Sequence, residues 1–116
     1  MAESTLADIP VVDCDSHWTE PADLWTSRAP ARLRDRVPQM REVDGIETWF
    51  VEDVPLGPLG FCVVRPDGEK ALGRLFLPRR EEVHDAAWDA KARVAMLDEL
   101  GIATQVVYPN VAGFAS

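Results

Sequence analysis

The chain has 116 residues, 47% hydrophobic and 28% charged, the arithmetic of one globular domain or a piece of one. Twelve basic against 20 acidic residues leave a net charge of -8, which repels phosphate backbones and anionic lipid and argues against nucleic-acid and membrane partners. No apolar run approaches the roughly 20 residues that cross a bilayer, the N-terminus lacks the basic start and apolar core of a secretory leader, and two isolated cysteines, Cys14 and Cys62, suit a reducing compartment, so a cytoplasmic protein is expected.

After a polar, unpatterned opening, residues 9–17 read as a first strand whose Val11, Val12 and Cys14 suit burial on both faces. Pro21 follows Glu20 and opens a loop with a short helical turn near Trp25, and residues 29–38, set between prolines, form a short outer piece. Residues 40–65 read as an inserted hairpin region. Its strongest signal is Asp44-Gly45 between β-prone runs, because both turn residues must take positive φ. Residues 56–60 read as loop, and residues 61–64 as another short strand entering the Pro66-Asp67-Gly68 turn. Asp85 is a good N-cap for a helix over residues 86–100, with Ala87, Ala90, Val94 and Leu97 in one stripe and Gly101 closing it. Residues 102–108 read as the second strand, closed by Pro109-Asn110. The order predicts an α/β fold built on a β-α-β unit with a decorated first loop and two parallel outer strands.

The sharpest constellation is Asp13-Cys14-Asp15-Ser16-His17-Trp18-Thr19-Glu20-Pro21 at the end of the first strand. Alternation places Asp13, Asp15 and His17 on one face, with Asp15 and His17 about 7 Å apart along the backbone, close enough to converge on one metal ion. Two readings stay open on spacing alone. Either a metal partners these polar groups, or the strand ends at Asp13, a side chain of Asp15 or Ser16 caps the turn, and His17 is a loop residue. Glu20 is the candidate catalytic carboxylate, placed to orient a metal-bound histidine or to move a proton. His84 reads as a helix-entry residue, and Trp18 as a candidate pocket wall. Asp98, Glu99 and the i,i+4 pair Asp89 and Arg93 read as ordinary exposed helix charges. Nucleotide-binding and serine-hydrolase motifs are absent from the sequence.

These blocks, Val12 to Trp25, Arg32 to Pro38, Ala92 to Ile102 and Val106 to Pro109, resemble the start of amidohydrolase-related proteins. More narrowly, they are similar to the decarboxylase-like branch that includes aminocarboxymuconate semialdehyde decarboxylase and γ-resorcylate decarboxylase. The motifs that carry the resemblance are D-x-D-S-H-x-x-E-P from Asp13 and M-L-D-E-L-G-I from Met96. The resemblance implies a (β/α)8 barrel with one divalent metal ion, zinc or manganese, at the C-terminal ends of the strands. Asp15 and His17 are the implied first-strand ligands. Amidohydrolases more often carry His-x-His at that place. Asp-x-His is nearer the aromatic-acid decarboxylases, and its oxygen-richer donor set is less suited to zinc. In such enzymes the metal orients a substrate carboxylate or phenolic oxygen, or activates a water, while an acid or histidine moves the proton.

A barrel of this kind takes about 250 residues. The resemblance therefore implies an N-terminal fragment with the first two strands, ending in a site-forming loop at Gly113 to Ser116, with its remaining ligands elsewhere and little activity alone. The expected reaction is hydrolysis or decarboxylation of a small carboxylated molecule. The alternative is a non-catalytic remnant or interaction module that pairs through the open edge of its second strand, as a homo-oligomer or with another chain.

Overall fold

β1 (Val11–Trp18) and β5 (Ile102–Pro109) pair in parallel, and the chain between them returns through α1 (Ala90–Leu100). The computed structural model describes residues 8–110. The polar opening and the loop at Gly113 to Ser116 lie outside the described residues. Two register shifts punctuate the parallel pair. Val11 faces Ile102 but Val12 faces Thr104, and Asp13 faces Gln105 while Ser16 already faces Val107. The second shift places Cys14 and Asp15 opposite a single residue, a bulge that interrupts the simple alternation of β1.

Between the outer strands lies a separate antiparallel sheet of β2 (Gln39–Val43), β3 (Ile46–Val51) and β4 (Val54–Pro58), in the order β2-β3-β4. Asp44 and Gly45 turn from β2 to β3 with φ of 51° and 79°, the geometry that suits the right-handed twist of the flanking strands. A second tight turn at Glu52 and Asp53 adds β4, where loop was expected. Its prolines hide it in the sequence, and they are tolerated because β4 is an edge strand. Residues 61–64, expected as a strand, contribute only an isolated bridge between Val64 and Lys70. Their carbonyls are otherwise taken by loop amides, Cys62 by Leu77 N–H and Val63 by Ala71 N–H.

The core sits under this insertion rather than under the parallel pair. Leu59, Ala71, Leu77, Val83 and Ala87 are buried together, with Met40, Cys62 and Trp88 packed against them. Trp49 of β3 is fully buried; its indole N–H donates to the Leu59 carbonyl at 3.2 Å and its ring meets Trp25 edge-on at 5.1 Å. Arg80 ties the insertion to the first strand. Its amide donates to the Glu47 carboxylate and its guanidinium to the Glu20 carbonyl, both at 2.8 Å.

The helix starts four residues later than expected. Asp85 opens only a 3-10 turn over Asp85–Ala87, capped by His84, whose Nδ1 accepts from Ala86 N–H at 3.1 Å. Trp88 breaks that turn, and Asp89 then caps α1 by accepting from Ala92 N–H at 2.8 Å. Gly101 ends α1 in the left-handed region at φ 69°. Asp89→Ala is expected to cost about 1 kcal/mol, read as a lower urea midpoint, while Asp89→Ser restores it. No residue of α1 is buried, so the expected core stripe is a half-open face. Val11 and Val12 are likewise half-exposed, and α1 packs chiefly on the β5 side of the parallel pair.

Candidate functional site

The bulge in β1 divides its polar residues between two destinations. Asp13 and Ser16 turn to the helix. The Asp13 carboxylate accepts from Gln105 Nε2 at 2.7 Å, Gln105 Oε1 accepts from Arg93 Nη1 at 2.9 Å, and Ser16 Oγ accepts from the same Nη1 at 2.8 Å. The hydrogen bond from Gln105, helped by the Asp15 amide, holds the Asp13 carboxyl below its ordinary value. Asp15 and His17 meet each other instead, with Asp15 Oδ1 at 3.9 Å from His17 Nε2. The expectation that Asp13 would share their face is thus corrected. The extra residue at the bulge shifts Asp13 into step with Ser16.

Arg93 is the organising residue of this corner, and the sequence reading that made it an ordinary exposed charge is corrected as well. Its Nε donates to the Ala86 carbonyl at 2.7 Å and its Nη2 to the His17 carbonyl at 2.9 Å, in addition to the two bonds from Nη1. The guanidinium also stacks over Trp18 at 5.2 Å, and Trp18 lines an open cavity between α1 and β5 rather than the cleft described below. Burial lowers the Arg93 pKa, opposed by Cys62 and Asp13. No sequence signal marks this role, since an arginine at i+4 from an aspartate is the commonest of surface patterns.

Asp15 is solvent-facing, its side chain 93% exposed, and His17 is about one-third exposed. Glu20 lies two residues past β1 and is 4% exposed, its carbonyl held by Arg80. His84 stands apart as the cap described above. Two ligand atoms bound at about 2.1 Å and at tetrahedral angles stand about 3.4 Å apart, so Asp15 and His17, 3.9 Å apart, would have to close by about half an ångström to share one divalent ion. Among the described residues no group of three or more His, Cys, Asp or Glu side chains is placed to hold a metal.

A cleft of about 320 Å³ opens at the C-terminal ends of β1 and β5, where ligands collect in parallel α/β sheets. His17, Thr19, Cys62, Val64, Arg93 and Asn110 contribute to its lining. Asn110, the residue directly after β5, is 6% exposed. Its amide donates to the Trp18 carbonyl at 3.2 Å and its side-chain Nδ2 to Thr19 Oγ1 at 3.4 Å. Sequence reasoning passed over Asn110 as a strand terminator, although its place at the end of a parallel strand is itself a signal. Gly60 allows this pair to pack, since a Cβ there would stand 2.7 Å from Asn110 Nδ2 and 2.9 Å from Thr19 Oγ1. Gly60→Ala is expected to cost about 1–3 kcal/mol and to displace the Asn110 side chain. Thermal unfolding and the side-chain amide resonance of this single asparagine check both effects.

No family model and no curated protein matches the chain. Among solved structures, an amidohydrolase from Mycobacterium avium subsp. paratuberculosis superposes with a TM-score of 0.60 at 23% identity. The match covers 89% of this chain and 31% of that one, so the chain spans about a third of the length of the structure it matches. In its fold, this chain is similar to part of an amidohydrolase.

Proposed function

We propose that the chain is the opening portion of a metal-dependent, amidohydrolase-like (β/α)8 enzyme that hydrolyses or decarboxylates a small carboxylated molecule. The observation that carries this reading is the Asp15–His17 pair, 3.9 Å apart at the C-terminal end of a parallel strand. The fold likeness supports it, as do the half-exposed Val11, Val12, Val106 and Val107, because parallel sheets of this composition are covered on both faces in α/β proteins.

Asp15 and His17 supply two ligands, and further strands of the barrel supply the others. A divalent ion, zinc or manganese, contributes Lewis acidity toward a carboxylate, a carbonyl or a water. Asp15 and His17 bind and orient. Arg93 fixes the His17 backbone through its carbonyl, so that the imidazole starts from one position. Glu20, buried beside the strand end, holds or moves a proton.

Metal titration tests the reading. The chain is expected to bind one zinc or manganese ion through its two ligands, more weakly than a complete site, and Asp15→Asn and His17→Ala to lower that affinity at least tenfold. A chain that binds no ion at saturating concentrations of either metal, or whose binding is untouched by both substitutions, overturns it. Pairing through the β5 edge, where Val106, Val107 and Tyr108 are half-exposed, then becomes the better account.

A further inference from the structure

We propose that Asn110 is a substrate-binding residue whose side-chain carbonyl accepts a hydrogen bond from a hydroxyl or N–H donor on a small, largely apolar molecule seated in the cleft beside His17. The inference deepens the function proposed above, and rests on it for where the reaction takes place.

Asn110 Oδ1 is buried and has no hydrogen-bond partner among the described residues, although the residue is 94% removed from solvent. A buried acceptor left unpaired costs about 1–3 kcal/mol, a cost that a ligand donor removes on binding. The side chain is not free to turn away. Its backbone N–H is held by Trp18, its Nδ2 by Thr19, and Gly60 packs against that same Nδ2. The neighbouring polar groups have their own partners. Arg93 commits four of its five N–H donors to Ala86, Ser16, Gln105 and His17, and Thr19 Oγ1 accepts from Asn110 itself. Much of the remaining wall is apolar, with Phe61, Cys62, Val63, Val64 and Ala87.

The chemistry of the ligand follows from this arrangement. An acceptor in an apolar cleft selects a neutral donor and disfavours a bare carboxylate, which has only acceptors. A carboxylated substrate therefore points its donor-bearing end at Asn110 and its carboxylate away from it, toward the Asp15–His17 side. Sites built around one buried polar group discriminate strongly against analogues that lack the matching partner.

Benzyl alcohol and its methyl ether share an apolar body and differ in one O–H donor, so they isolate the contact. In the full chain labelled with [15N]asparagine, the single asparagine gives one side-chain amide pair to follow by NMR. Benzyl alcohol is expected to shift that pair and to bind at least about fivefold more tightly than the ether, the worth of one net hydrogen bond. Asn110→Asp keeps an acceptor and is expected to keep the preference, and Asn110→Leu to lose it. Equal affinities in the unsubstituted protein, or no shift with either probe, overturn the assignment, and so does a preference that survives in Asn110→Leu. The readout needs no metal. Discrimination by a protein that holds no zinc supports Asn110 while overturning the metal reading, and zinc binding without discrimination does the reverse.

Discussion

Replacing Arg93 with alanine is expected to lower stability by about 3 kcal/mol and the midpoint of thermal unfolding by about 10 °C or more. Four hydrogen bonds leave with the guanidinium, and they join three parts of the chain: the 3-10 turn at Ala86, the end of β1 at Ser16 and His17, and β5 at Gln105. Half-exposure of the site keeps the figure below what a fully buried pair would lose. Arg93→Lys is expected to recover less than half, because a single ammonium cannot reach the acceptors of a planar fork and stacks less well on Trp18. The effect should extend to metal affinity. With its carbonyl released, His17 samples more positions, and zinc should bind more weakly to Arg93→Ala than to the unsubstituted chain at a temperature where both are folded. Unfolding midpoints within 2 °C of each other would show that Arg93 is the ordinary surface charge that its spacing from Asp89 suggests.

Trp49→Ala is expected to be the most damaging substitution in the insertion, at about 3–5 kcal/mol. The ring is fully buried, packs on Trp25 and spends its N–H on the Leu59 carbonyl, so truncation leaves both a cavity and an unpaired buried acceptor. Trp49→Phe refills most of the volume and should lose only about 1–2 kcal/mol, mainly for the hydrogen bond. Urea unfolding followed by far-ultraviolet circular dichroism measures both, and an alanine variant within 1 kcal/mol of the starting protein would contradict the packing described here.

Local chemistry is what the sequence makes legible. Asp44-Gly45 demands positive φ at two successive positions, and few structures other than a tight hairpin turn provide it. Gly101 marks the end of α1 for the same reason. The first and last strands stand out as β-branched runs with polar ends, and the residues between them carry enough helical pattern to imply the parallel return. What stayed hidden depends on pairing and packing that residue type alone does not announce. β4 carries Pro55, Gly57 and Pro58 and is a strand only because β3 offers it an edge. Asp85 and Asp89 are equally good caps, and the choice between them falls to Trp88 and His84.

The site divides in the same way. Asp15 and His17 are two residues apart, so their meeting is close to a local property. Period-two alternation also joined Asp13 to them, and failed because the register shift that separates it from them is set by β5, 92 residues away at Gln105. Arg93 and Asn110 could not be found by motif. Each acquires its role from partners 76 to 91 residues distant, His17, Ser16 and Thr19.

Zinc titration of the [15N]histidine-labelled chain tests the central claim, that Asp15 and His17 share one metal ion, most directly. Its two histidines serve as site and internal control. His84 already uses Nδ1 as a cap for Ala86 and should keep its ring shifts throughout. The account predicts a large change at His17 Nε2 that follows a one-site isotherm, is lost on Asp15→Asn and is reversed by chelator. An unmoved His17, or a change at His84 that matches it, would contradict it.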